Sequence, residues 1–516
     1  MNNANSRTAS ETIDRLIESL GGATNVAEAA AQTVVATGWR HHPGWGTLPS
    51  KPEVAADFQY TLLEDAVRPR YRLSLQSDTY LVPAHLSYVE TGNGSVGHLD
   101  GVDFMFSPTP VDVAISSWRV AIRQRHIDLT SVLRFAHKLM APDVDVSLSE
   151  EDIDGDRTEV LTLREVGRPA VRAFLGVDGL PTEFRLVEDH SPRGDALVKV
   201  AFTEYRPAGR LVLPHRIEIS VDDQVVHDET RSSIHVHEVS NDSDFDVPDS
   251  GVVDGTARQM TYALYSTQWV MTYVLSGIRF YFDLQIAPTT PNPVTIASGV
   301  KLIPGPSHNT LVVELVDSTL AVEAPLYDEY TRAALVQVKE AFPGKPLRTV
   351  VGTHFHYDHI GGIREFAADG DLTVIVGEPT VPFFQQIFNG SHTTNPDRYS
   401  TRPLPVTVQG VTDPVFLKTA DGGEVQVYRM LSDHSDDMLI VYLTSSKCVF
   451  NSDLWNPTAK EPASGTQRGR LATQLYDAII ELGLDVESII GGHSGTDGKN
   501  PIFTAPLKYL QAAAGR

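Results

Sequence analysis

The stretch "THFHYDHIGG", Thr353 to Gly362, packs three histidines and one aspartate into the six positions from His354 to His359 and closes on two glycines. It follows the apolar run "RTVV", so His354 and His356 sit at or just past the end of a strand. Residues i and i+2 of an extended chain share a face, and two imidazoles placed there can converge on one ion. Asp358 and His359 come after a turn and offer a second pair of donors pointing elsewhere. Gly361 and Gly362 let the backbone pass close to its neighbours before a helix begins. One loop thus supplies parts of two adjacent sites.

Two ions need more donors, and three downstream positions provide them. His434 lies in "LSDHSDD", directly before the run "MLIVYL". Asp453 ends "KCVFNSD", and His493 lies in "IIGGHSG". Each sits where a short apolar strand meets a loop, which is where open sheets build their sites. Cys448 is the single cysteine, so a thiolate-rich metal site and an intrachain disulfide are both excluded. Imidazole and carboxylate donors suit zinc, iron or manganese, with zinc the default for a three-histidine site that keeps an open position. The paired histidines His235 and His237 share a strand face but lack a third ligand nearby.

The rest of the chain bounds the reading. Its 516 residues suggest two or three domains. A net charge of −24 repels phosphate backbones and argues against a nucleic-acid partner. The first residues show no basic-then-apolar leader, which predicts a cytoplasmic protein if Met1 is the natural start. Gln259 to Ile278 carries no charge over about the length of a membrane span, but its Thr, Ser, Gln and Tyr side chains fit a buried or interface helix better. No membrane span is expected. The expected partner is a small-molecule substrate, and a homodimer stays open.

Two textures divide the chain. Residues 1–240 hold alternating segments such as "RYRLSLQS" and "LVKVAFTEY" that predict strands with one wet face, with helix over roughly Asp112 to Met140 and near Thr12 to Gly22. This predicts a mainly antiparallel β domain of unknown role. Residues 241–290 read as an acidic, turn-rich linker followed by the uncharged connecting segment. Residues 291–516 alternate compact apolar strands with helical stretches such as "DEYTRAALVQVKEAF", the pattern of sheets covered by helices. The class is α+β.

The order His-x-His-x-Asp-His, then His, then Asp, then His resembles that of the metallo-β-lactamase-fold metal-dependent hydrolases, over roughly Pro291 to the C-terminus. The resemblance implies a C-terminal αββα sandwich with the site at one edge of its two sheets. It implies that His354, His356 and His434 hold one metal, that Asp358, His359 and His493 hold a second, and that Asp453 bridges them. It also assigns Asp317, in "LVVELVDS", to the outer shell, where it would fix the histidine loop.

Two divalent ions, zinc by default with iron or manganese as alternatives, would activate a water as a hydroxide nucleophile. The expected reaction is hydrolysis of an ester, lactone or thioester with an apolar part. Asp358 is both ligand and candidate proton shuttle, and Tyr357 a candidate donor to an oxyanion. Phe383, Phe384 and Phe388 would form an apolar pocket wall or bury as a helix, and Trp455 would lie near the metals or pack. The nuclease branch of the family carries a large extra domain between the Asp and the last His; here that interval is only 493 − 453 = 40. The di-iron branch replaces the second histidine of the signature, here His356, with Glu. An iron-dependent sulfur dioxygenase and an alkyl sulfatase remain as alternatives, and a ligand-binding protein with a relic metal site is the reading outside enzymes.

Overall fold

The structure is a computed structural model. It describes residues 7–42, 44–51, 54–80, 83–153, 155–248, 253–255, 260, 265–267, 292–305, 307–462, 469–496 and 500–516. The chain forms two compact units. The first comprises residues 1–43, 54–190 and 195–285, and the second residues 44–53, 191–194 and 286–516. Most of the stretch Gln259–Ile278 lies outside the described residues, and the interface reading of it with them. Among the described residues no helix is long and apolar enough to cross a membrane.

The first unit is built on one 13-stranded sheet. Its first strand, Ala31–His41, pairs antiparallel with its last, Gln224–His237. The other strands run outward from this central pair in sequence order on each side. Alternation is strict where the sequence alternates: in Arg70–Thr79 every second residue from Tyr71 on is buried. The N-terminal helix, Ala9–Leu20, opens on a capping box between Thr8 and Glu11 and ends at Gly21, whose φ of 130° suits glycine. The region expected to be helical from Asp112 begins instead with the strand Val111–Ile115, and the helices are Ser117–Thr130 and Val132–Leu139.

The helix Ser117–Thr130 turns charged groups into the sheet. Arg119 donates to Glu90 at 2.9 Å and to Asp103 at 2.6 Å, Arg123 donates to Glu90 at 3.0 Å, and Tyr71 donates to the same carboxylate at 2.8 Å. Glu90 is fully buried. Burial alone would raise its carboxyl, but Arg123 and Arg119 outweigh burial and hold it at about 2 against an ordinary 4.5. Within the turn-rich segment after the sheet, Asp242 accepts from Arg70 at 2.7 Å and Phe245 is buried under the Arg70 guanidinium.

The second unit is the αββα sandwich. A seven-stranded and a six-stranded sheet pack face to face. The core between them is formed by Leu311, Val313, Leu320, Val322, Val351 and Ile375 from one sheet and Leu439, Val441, Phe450 and Ile490 from the other. The alternate residues face outward and are covered in turn. Val350, Val374 and Val376 lie under Ile360, Ile363 and Phe366, and Val312 lies under Ala334 and Val338 of the helix Asp328–Ala341. Ile440, Tyr442 and Ile489 lie under Leu475 and Ile479 of the helix Arg470–Glu481. Both faces of the central strands Thr319–Val322, Leu439–Leu443 and Cys448–Phe450 are buried, which is why they read as unbroken apolar runs.

The ion cluster at Glu90 has a measurable consequence. A carboxyl held at about 2 contributes its full stability above pH 4.5 and loses it as the pH falls through about 2, a total of about 3 kcal/mol. Glu90→Ala is expected to cost about 3–5 kcal/mol at pH 7 by leaving two buried guanidiniums short of a partner. In denaturant unfolding of the two proteins, that deficit should narrow between pH 4.5 and pH 2.

Candidate metal centre

Strand direction decides which residues meet. Thr319–Val322 runs parallel to Leu347–Val351, with Val322 opposite Val351, so the residues just beyond both strands emerge at one end. Those residues are Glu323 on one strand and the Thr353–His359 loop on the other. In the second sheet Cys448–Phe450 is parallel to Ser488–Thr496, with Phe450 opposite Ile490. Three residues further along each lie Asp453 (450 + 3) and His493 (490 + 3). His434 comes from the connection between Glu424–Arg429 and Leu439–Leu443, and Leu439 donates its backbone N–H to Thr353 O at 2.7 Å.

The loop itself is a short helix, Tyr357–Ile360, strapped to the segment after Glu323. Leu326 N–H donates to Asp358 O, Ala324 N–H to His359 O and Gly362 N–H to Ala324 O, at 2.9–3.0 Å. A Cβ at Gly361 would strike the Leu326 carbonyl, and one at Gly362 the Thr331 side chain. Glu323 and Ser452, which meet here, both hold positive φ, 68° and 55°. Non-glycine residues adopt that region at a cost and cluster at functional sites.

Four sequence-expected residues form the first group: His354, His356, His434 and Asp453 offer donor atoms all within 4.8 Å of one another. His434 Nε2 lies 3.3 Å from His354 Nε2 and 3.2 Å from Asp453 Oδ2. His359 and His493 join His308 in the second group. Their Nε2 atoms each lie 3.0 Å from Asp453 Oδ1, and Asp358 Oδ2 lies 3.8 Å from His359 Nε2. The two oxygens of Asp453 thus face different groups of imidazoles.

Outer contacts fix which ring nitrogen faces inward. His354 Nδ1 is 3.1 Å from Thr353 Oγ1, His359 Nδ1 is 3.0 Å from Glu323 Oε2, and His493 Nδ1 is 3.0 Å from Ser307 O. His356 is reversed: its Nε2 is 2.9 Å from Gly46 O, which leaves Nδ1 for the centre. Such anchoring of the second nitrogen is the usual companion of imidazole ligation. Asp358 Oδ1 is buried with no hydrogen-bond partner, and His359 Nε2 and Asp453 Oδ1 are buried 3.0 Å apart without the alignment of a hydrogen bond. The donor set fits a cation: all nitrogen and oxygen, inward-facing, with buried acceptors that a positive charge would satisfy.

Electrostatics divide that donor set in two. Burial drives His354 well below the ordinary imidazole value and His356 down to about 3, and neighbouring imidazoles add to both shifts. Neutral imidazole is the ligating form. Burial acts the same way on His359, but Asp453, Glu323 and Asp358 outweigh it and hold His359 well above that value. Asp453 is held far below the carboxylate range: burial opposes this, and His359 and His493 override it.

Several expected residues fall elsewhere. Asp317 is exposed in the turn between Thr310–Glu314 and Thr319–Val322. Glu314 pairs with Thr319, so this turn lies at the opposite end of the strand from Glu323. The carboxylate that fixes the loop is Glu323, fully buried, accepting from Thr353 Oγ1 at 2.8 Å and Ser452 Oγ at 2.6 Å. Phe384 and Phe388 are no pocket wall. The helix Val381–Asn389 buries Phe384, Ile387 and Phe388 on one face, and all three join the apolar cluster under the seven-stranded sheet. Phe383 is partly buried against the same cluster, 5.8 Å edge-on from Phe355. Trp455 packs partly buried against the cluster outside the six-stranded sheet. Tyr357 is buried.

Besides Glu323, two contributors were not read from the sequence, His308 and Gly44–Lys51. The latter supplies Gly46 O to His356 and sets the Trp45 ring 5.9 Å from His356 and 6.2 Å from Tyr357, nearly parallel to both. Thr47 O accepts from Asp436 N–H at 2.8 Å, pinning this loop beside His434. No local pattern in "GWGTLPSK" marks it.

Residues 300–493 match the sequence profile of the metallo-beta-lactamase superfamily, and the C-terminal half of the chain is a domain of that superfamily. Solved structures that resemble it share little sequence. A metallo-beta-lactamase from Pontibacter korlensis is 18% identical, with 43% of this chain and 96% of that one covered and a TM-score of 0.32. A stereoselective inverting sec-alkylsulfatase from Pseudomonas sp. is 15% identical, covering 43% of this chain and 41% of that one, with a TM-score of 0.31. The metallo-beta-lactamase FIM-1 from Pseudomonas aeruginosa, in its mono-zinc form, is 18% identical over 44% and 96%, with a TM-score of 0.31.

The exchange of Asp317 for Glu323 can be checked directly. Glu323→Ala should weaken metal binding on the order of 10–100-fold in a zinc titration, since the buried Thr353, Ser452 and His359 groups lose their acceptor. Asp317→Ala should leave the affinity unchanged.

Proposed function

We propose that the second unit is a dinuclear metal-dependent hydrolase. The observation that carries this reading is the Asp453 carboxylate, with Oδ1 at 3.0 Å from His359 and His493 and Oδ2 at 3.2 Å from His434. His354, His356 and His434 would hold one ion, Asp358, His359 and His493 the other, and Asp453 both. Two dications so held supply Lewis acidity and a water acidic enough to ionise near neutral pH.

The chain's own residues account for the remainder. Asp358, beside His308 at 3.2 Å, is placed to take and return a proton at the centre. Trp45, partly exposed and stacked on His356 and on the buried Tyr357, would offer an aromatic face beside the centre in place of the phenylalanines of the helix Val381–Asn389. The net charge of −24 favours a neutral ester, lactone or thioester over a polyanionic substrate. Zinc is the default ion for this donor set, with iron or manganese as alternatives.

The test is metal analysis of the purified protein, then assays on esters, lactones, thioesters and alkyl sulfates with and without chelator. Two ions per chain and chelator-sensitive hydrolysis are expected. His356→Ala should lose metal and activity together, beyond the 10–100-fold that loss of an outer partner costs. Full turnover by metal-free protein would end the reading; iron with oxygen uptake would move it to sulfur oxidation. Trp45→Ala should raise KM for aromatic esters about 2–10-fold with little change in kcat, the worth of one stacking face.

A further inference from the structure

We propose that His308 is a ligand of the second metal position, alongside Asp358, His359 and His493. This rests on the dinuclear reading above.

The backbone around His308 is held against the segment that carries His493. The two residues form an isolated antiparallel bridge. Asn309 N–H donates to Gly492 O at 2.7 Å, its side-chain amide donates to Gly491 O at 3.1 Å, and Ser494 Oγ donates to Asn309 Oδ1 at 3.2 Å. The strand that follows, Thr310–Glu314, is antiparallel to Thr319–Val322, with Leu311 opposite Val322. Its start therefore lies at the same end of the sheet as Glu323 and the His354–His359 loop.

The side chain completes the placement. His308 is buried, with its ring centroid 4.0 Å from that of His493 and 4.7 Å from that of His359. Its Nδ1 is 2.7 Å from Ser307 Oγ, so Nε2 is turned inward, 3.2 Å from Asp358 Oδ2. This matches His354, His359 and His493: an outer partner on one nitrogen, the other facing a carboxylate. Ser307 serves both neighbours, its hydroxyl beside His308 and its carbonyl beside His493. The donor atoms of His308, His359 and His493 lie within 4.8 Å of one another. Nitrogens sharing one tetrahedral zinc lie about 3.3–3.4 Å apart, so the group would draw in by up to about 1.5 Å, within the reach of side-chain rotation, to close on an ion.

The two positions are then unequal. One offers His354, His356, His434 and one oxygen of Asp453; the other offers three imidazoles, Asp358 and the remaining oxygen. The rival role for His308 is donation of a hydrogen bond to Asp358. His308→Ala and His308→Gln separate the two, because glutamine keeps an N–H donor but is a poor metal ligand.

The experiment is zinc stoichiometry and affinity of the full chain, with visible absorption of the cobalt-substituted protein as a second readout. Unfolding midpoints of the metal-free proteins report on the fold. Wild type should bind two ions. Both variants should keep one and bind the second at least 10–100-fold more weakly, with loss of part of the cobalt absorption. Two ions bound as tightly in either variant as in wild type would overturn the assignment and leave the dinuclear reading standing. Retention of both ions by His308→Gln with loss in His308→Ala would overturn it in favour of the hydrogen-bond role. Fewer than two ions in wild type would end both the assignment and the reading beneath it.

Discussion

The second unit turns on a carboxylate that answers to two sets of imidazoles at once. Asp453 is reached by His359 and His493 on one oxygen and by His434 on the other. So many polar groups buried together are costly unless each is oriented and satisfied. The protein meets this with a ring of outer contacts: Glu323, Thr353, Ser452, Ser307 and the carbonyl of Gly46. Each comes from a different strand end or loop. The centre is therefore a property of the whole edge of the sandwich, and the His354–His359 loop alone could not hold it in shape.

How far the sequence announces this depends on range. The loop, His434, Asp453 and His493 are legible because each follows or precedes a short apolar run, and runs of that kind end at the edge where the sheets build their site. The outer carboxylate is not. "LVVELVDSTLAVEAP" offers Asp317 after one apolar run and Glu323 after the next, and nothing local distinguishes them. Strand polarity does: an antiparallel hairpin sends its turn away from the end where the following parallel strands finish. The same polarity brings the start of that hairpin, and His308 with it, back to the centre. "PGPSHN" reads as an ordinary turn.

The first unit shows the complementary blind spot. Alternation in "RYRLSLQS" correctly gave a sheet with one wet face. It could not show that Glu90 and Glu229 lie on the dry side, fully buried beside Arg123 and Arg231. A charged residue at every second position looks the same whether its partner is water or a buried arginine, from a helix for Glu90 and from its own strand for Glu229. The region from Asp112 differs only at its start, since Val111–Ile115 extend the sheet before the helices Ser117–Thr130 and Val132–Leu139 begin.

The loop Gly44–Lys51 bears on the order in which the protein can be completed during synthesis. Gly46 leaves the ribosome 310 residues ahead of the histidine it orients. At about 5–20 residues per second, that segment waits on the order of 15–60 seconds for its counterpart to exist. The neighbouring strands of the first unit can pair in that interval, while residues 44–51 stay uncommitted. The last shaping of the centre is thus a late, long-range event, carried out by residues made well before the histidine loop.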